Sequence, residues 1–180
     1  MSTQQSAVPD FTVDHLIIGA GVIGLAVAER LSRRAESTTL LAEKNARIGE
    51  ETSSRNSEVI HTGLYYPTDS LKARLCIEGK QMLYDYCRAH NIPHASVGKW
   101  VVAQNDTQCE YLHRLQDKLR GLGVPVHLIS SERMREQEPH IKGQASLVSP
   151  TTGIIDTHSL MGMLQGQIGD NGGDIALNTK

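Results

Sequence analysis

A short apolar run, residues 14–18, passes directly into Gly19-Ala20-Gly21-Val22-Ile23-Gly24, and this junction restricts the fold more than any other feature of the chain. Val13, Leu16, Ile17 and Ile18 predict a short buried strand. Val22, Leu25, Ala26, Ala28 and Leu31 recur with helical spacing and predict a helix that starts at once. A second strand is expected over residues 38–42, closed by Glu43. Each part has a task in holding a dinucleotide. Gly19 permits the tight turn, Gly21 lets a diphosphate approach the backbone, and Gly24 lets the helix lie close to the sheet. The amides opening the helix, Val22 and Ile23 among them, then face the phosphates, and the Glu43 carboxylate takes the ribose hydroxyls. A plain tight turn followed by a surface glutamate is the alternative.

Composition narrows the remaining classes. The 180 residues suffice for one core and part of a second. A net charge of −2 gives no electrostatic reason to expect nucleic acid, and one Trp and one Phe argue against stacking platforms. No apolar run approaches membrane-spanning length. Cys76, Cys87 and Cys109 are odd in number and form no Cys-x-x-Cys pair, which suits a reducing compartment. The polar start of the chain, with no basic residue before Arg30, fits neither a signal nor a transit peptide, so the expectation is an intracellular, cytoplasmic protein. No spacing supports a metal site: Pro93 interrupts the His90/His94 pair.

Further along, Ser70 predicts the cap of a helix reaching about Arg88, and Thr107 with Glu110 predicts a capping box for a helix striped by Leu112, Leu115, Leu119 and Leu122. Strands are expected near residues 97–104, 126–129, 144–148 and 153–155. A helix bearing Leu160, Met161, Leu164 and Ile168 leads to a last strand near residues 174–177, expected to lie parallel to the first two. The organisation that follows is a disordered N-terminus at 1–12, a nucleotide-binding part at 13–95, a substrate-domain segment at 96–155, and a return to the nucleotide-binding domain at 156–180. A parallel sheet of three strands is short for this architecture, so the chain is expected to stop inside its own fold.

From Asp14 onward the chain resembles flavoproteins of the D-amino-acid-oxidase-like family, and within them L-2-hydroxyglutarate dehydrogenases. The resemblance is carried by the glycine motif, by Leu41-Ala42-Glu43-Lys44, by residues 53–67 and 70–76, by Gly98-Lys99-Trp100 and by Thr152-Gly153-Ile154-Ile155-Asp156. The block from Asn56 to Cys76 is the most selective part. The chain departs from the family at Ser54 and Glu58, where glycine is common. The resemblance implies an α/β fold: a Rossmann-like FAD-binding domain with an inserted α+β substrate domain, truncated at the C-terminus. It implies FAD as cofactor and oxidation of a small 2-hydroxy acid to the 2-oxo acid, with electrons passing to a quinone or oxygen. A mitochondrial location is a further implication. A non-catalytic fragment of such a protein is one alternative, and an NAD-dependent dehydrogenase is another.

On this reading Gly19, Gly21, Val22, Ile23, Gly24, Glu43, Lys44, Ser53, Ser54, Arg55 and Asn56 bind cofactor. Abstraction of a hydroxyl proton needs a base, and an imidazole, with its unperturbed pKa of about 6.5, suits that role at His61; a histidine bonded structurally to the backbone is the alternative. Arg55 offers a fork for a substrate carboxylate, or is a solvated loop arginine. Tyr65 closes the substrate cavity, or packs in the core. Lys72 and Arg74 are expected to be solvated.

Overall fold

The computed structural model describes residues 12–180. The disordered stretch expected at 1–12 falls, apart from Thr12, outside these residues. Two compact units are present: residues up to Asn56 together with Thr157–Lys180, and Ser57–Asp156 between them. The second unit thus interrupts the first in sequence. The expected boundary at 95/96 falls inside it, for a reason visible in the pairing below.

In the first unit β1 (His15–Ile18) leads to α1 (Val22–Ser32) and β2 (Thr39–Ala42), and a 3-10 turn follows at Thr52–Ser54. After the second unit come α5 (Thr157–Asp170) and β9 (Asp174–Ala176). The sheet order is β1-β2-β9, with both pairings parallel. Parallel neighbours need crossover helices, which α1 and α5 supply; these two pack on each other, and Leu25 and Ala28 of α1 and Leu160, Met161, Leu164 and Ile168 of α5 are buried. β1 is not buried as expected: Leu16 is 57% exposed and Ile18 85%. Their side chains share one face of the strand, and that face borders a cavity instead of a helix.

The second unit contains β3 (Val59–Ile60), α2 (Leu71–Ala89), β4 (His94–Ala95), β5 (Lys99–Ala103), α3 (Asp106–Gly121), β6 (His127–Ser130), α4 (Ser131–Gln137), β7 (Ala145–Ser149) and β8 (Gly153–Ile155). Two antiparallel sheets form, β3-β8-β4 and β5-β7-β6. β3 and β4 both pair with β8, so the chain from Ser57 onward belongs with strands far beyond it, and no boundary arises at 95.

The core of this unit follows from the leucine stripe of α3. Leu112, Leu115 and Leu119 are at most 4% exposed and pack with Leu64, Ala103, Val124, Val126 and Leu147. Each such leucine contributes about 2 kcal/mol through removal of apolar surface from water. Helix starts are set by hydrogen bonding of local side chains: Ser70 accepts from the Ala73 amide and Ser130 from that of Arg133. α3 corrects the expected capping box. Asn105, in extended conformation, caps it by accepting from the Gln108 amide, so Thr107 lies inside the first turn.

Candidate functional site

The glycine turn is built by close approach. Gly19 has φ +98° and donates its amide to the Ala42 carbonyl, tying the end of β1 to the end of β2. A Cβ on Gly24 would penetrate the Gly19 carbonyl oxygen, so the helix can cross the turn only with a glycine there. A Cβ on Gly21 would come 3.1 Å from the Ser53 hydroxyl.

That hydroxyl accepts from the Val22 amide at 3.0 Å, which caps α1 from a distant loop where Gly21 has no side chain to do so. Ser53 keeps its own proton to donate outward. The neighbouring residues hold the loop in place. Ser54 Oγ donates to the Gly49 carbonyl at 2.5 Å, and Asn56 Nδ2 donates to the carbonyls of Thr52 and Ser53. Gly49 in turn donates to the Ala20 carbonyl at 2.8 Å. Its φ is +68° and a Cβ would meet Met161 at 2.6 Å, so Gly49 is a glycine the position requires that sequence reasoning missed. Its only local signal was a glycine in a polar stretch.

Glu43 is buried. Its Oε2 accepts from the Ala20 amide at 2.7 Å and its Oε1 from the Asn45 amide at 2.8 Å. These bonds, the Ala20 one foremost, hold the carboxyl below the usual carboxylate range despite the opposing effect of burial. Lys44 makes an exposed ion pair with Glu51 at 2.6 Å, which raises the ammonium and lowers the carboxyl.

A cavity of about 850 Å³ opens between these parts. Gly19, Gly21, Glu43, Lys44 and Ser53 line it, together with Leu16, Ile18 and the unpredicted Asn45, Gly49 and Lys180. Arg55 instead borders a shallower hollow with Asn45, Glu50, Glu51 and Thr52. Ile23, 76% exposed, presents its side chain outward from the first turn of α1.

His61 and Tyr65 belong to the second unit, on the segment after β3. His61 is exposed overall, yet partial burial of its ring, and then the nearby Lys99 and Lys72, hold it below the ordinary histidine range. Next to it, Thr62 is 1% exposed and its hydroxyl contacts those of Ser149 at 3.2 Å and Thr152 at 3.3 Å. Lys99 Nζ lies 4.9 Å from the centre of the Tyr65 ring and Lys72 Nζ 4.4 Å from that of Tyr66. Lys72 is therefore engaged with an aromatic face, not simply solvated as expected.

Residues 14–180 match the family described as "DAO: FAD dependent oxidoreductase". L-2-hydroxyglutarate dehydrogenase of Arabidopsis thaliana is 44% identical over 154 residues, which are 83% of this chain and 31% of that protein. The Homo sapiens protein of the same name is 34% identical over 92% of the chain and 36% of its own length. The chain therefore spans about a third of these relatives. Among solved structures, FAD-bound L-alpha-glycerophosphate oxidase from Mycoplasma pneumoniae superposes with a TM-score of 0.88 at 29% identity, over 94% of this chain and 46% of that one. The match decides against a nicotinamide-dehydrogenase assignment: this chain belongs to the FAD dependent oxidoreductase family.

Proposed function

We propose that the chain holds FAD in an oxidoreductase that converts a small 2-hydroxy acid, of the L-2-hydroxyglutarate type, to its 2-oxo acid. The observation that carries the reading is the glycine turn opening on the cavity, with Ser53 and Glu43 arranged around it. The residues fit the group. The Val22 amide, expected to face the phosphates, is instead taken by Ser53 Oγ; the next amides of the first turn of α1 and the hydroxyl proton of Ser53 suit a diphosphate. Lys180 adds a positive charge at the cavity wall, where Lys44 is paired with Glu51. Glu43 uses one acceptor site of each oxygen on Ala20 and Asn45, and its remaining lone pairs suit ribose hydroxyls. The relatives' names supply the substrate class.

Bound FAD supplies the two-electron acceptor for the hydride on C2. The chain's own chemistry is proton handling. His61, kept in its neutral form near pH 7 by partial burial and by Lys99 and Lys72, accepts the hydroxyl proton as the C=O bond forms. Arg55 is proposed for a substrate carboxylate, and Tyr65 for the wall of the substrate cavity. A quinone or oxygen is the proposed final acceptor. The relatives are named as mitochondrial proteins, and we extend that compartment to this one as part of the reading.

The test is to purify the 180-residue chain with FAD, record its visible spectrum, and add L-2-hydroxyglutarate without oxygen. Retained yellow colour that bleaches supports the reading. A colourless product overturns it for this chain. Gly21→Val should abolish retention, because a branched side chain would displace Ser53. His61→Ala should keep the colour while slowing bleaching about 100-fold or more, the range of a positioned general base.

A further inference from the structure

Both chain neighbours of His61 are held by one short stretch of the second unit. Ile60, on one side, pairs in register with Gly153 of β8. Thr62, on the other, meets the hydroxyls of Ser149 and Thr152. Residues 149–153, where β7 turns into β8, are thus the seat of the His61 segment. Whatever fixes that turn fixes His61.

The turn is gripped by two side chains of α2. Lys80 and Tyr84 stand four residues apart and so share a face of the helix. Lys80 Nζ donates to the Thr151 hydroxyl at 2.9 Å, and the buried Tyr84 hydroxyl donates to the Thr151 carbonyl at 3.3 Å. Tyr84 Oη also lies so close over Gly153 that a Cβ there would penetrate it. Gly63 completes the frame from the other side. With φ +80°, it brings its Cβ position to 3.3 Å from the Ala73 carbonyl of α2. The His61 segment therefore touches α2 and the turn, and Lys80 and Tyr84 tie these two supports together. Lys80 is a costly residue for the task. Among the described residues it has no carboxylate within 4.0 Å, whereas Lys44, Arg33, Arg47, Arg88 and Arg114 each have one. Partial burial pushes its ammonium below the ordinary lysine range. An apolar side chain would avoid that cost, so the directed bond to Thr151 serves geometry more than stability.

We propose that Lys80 and Tyr84 are positioning residues for the proton transfer assigned to His61: they lock the β7–β8 turn to α2, and through Ile60 and Thr62 that turn fixes the imidazole. This rests on the assignment of His61 as the base and adds the residues that set its place. Neither side chain touches the imidazole. A general base works only within hydrogen-bond reach of its proton, and a misplacement of about 1 Å can cost ~100-fold in rate.

The experiment compares Lys80→Met, Lys80→Arg and Tyr84→Phe with Asp85→Asn, which breaks an exposed pair with Arg88 on the same helix. Amide exchange in the 180-residue chain needs no flavin. It should become about 10-fold faster at residues 60–64 in Lys80→Met and Tyr84→Phe, the size of one lost hydrogen bond. Slow exchange kept at Leu112, Leu115 and Leu119 shows that each variant stays folded. Lys80→Arg should restore most of the protection, and Asp85→Asn should leave it as it is. In the FAD-loaded chain, reduction by L-2-hydroxyglutarate should slow about 10-fold in the same two variants, while the substrate concentration for half the maximal rate stays within about 2-fold. On a His61→Ala background neither substitution should slow it further, because both act through the imidazole. Unchanged exchange at residues 60–64 overturns the proposal, and so does a slowing of equal size with and without His61. Reduction slowed by His61→Ala but not by Lys80→Met or Tyr84→Phe refutes this proposal alone. Reduction that His61→Ala leaves untouched refutes the base assignment beneath it. A colourless chain refutes the flavin reading, and exchange at residues 60–64 then decides by itself whether Lys80 and Tyr84 hold the segment.

Discussion

The Glu43 carboxylate accepts the Ala20 amide at 2.7 Å, so the residue that closes β2 also holds the glycine turn that follows β1. The second oxygen accepts the Asn45 amide, and one side chain thereby orders both loops at the rim of the cavity.

Glu43→Gln keeps the shape and removes one acceptor, leaving an N–H group against an amide. A loss of about 1–3 kcal/mol is expected in urea unfolding, as for a buried donor left without a partner. The pH dependence has a definite sign. The folded carboxyl titrates below its ordinary value, so its contribution is present above the unfolded value of about 4.3 and is lost as pH falls through the lower folded value. The wild type should therefore lose more stability than the variant on acidification below about pH 4.3; parallel acid curves would refute the role.

Two glycines in one unit should respond in opposite directions. Gly24→Ala puts a methyl into the Gly19 carbonyl, and the helix must shift, at a cost of about 1–3 kcal/mol. Gly162 lies inside α5 with open space around it, so Gly162→Ala should stabilise by about 0.5–1 kcal/mol. Thermal unfolding of the pair gives the comparison, and equal shifts would contradict the packing described.

Glu58 has φ +55°, in the left-handed region that favours glycine. Glu58→Gly and Glu58→Ala both remove the side chain, so their difference isolates the backbone. The glycine variant should be the more stable by about 1 kcal/mol in denaturant titration. An alanine variant of equal stability would mean that the segment relaxes out of this conformation.

Thr62→Val preserves shape but deletes one of three mutually bonded, buried hydroxyls. Ser149 and Thr152 retain each other at 3.0 Å, so the stability loss should stay near 1 kcal/mol. The anchoring of His61 should suffer more than global stability. Faster amide exchange at residues 61–64 with a nearly unchanged unfolding midpoint is the expected pattern. Unaltered exchange would show that Thr62 does not hold the segment.

Much of the scaffold was readable from local pattern. The helix after Ser70 runs over Leu71–Ala89 with Ser70 as its cap, and the last strand is parallel as expected. The misplacements have local causes as well. Thr107 with Glu110 imitated a capping box, while Asn105, two residues earlier, had the extended backbone that a cap requires. Leu16 and Ile18 looked like core because they are apolar, whereas what covers a strand face depends on elements remote in sequence.

By itself the sequence determined the strand–glycine–helix unit, the period of each helix and the family, because these depend on neighbours within a few residues. Tertiary structure alone decided that Ser53 caps a helix 31 residues away, that Glu43 reaches back to Ala20, and that Thr62 meets Ser149 across 87 residues. A hydroxyl or carboxylate can bond any amide or hydroxyl the fold brings within reach, so its partner follows from the path of the whole chain and leaves no periodic trace in the sequence.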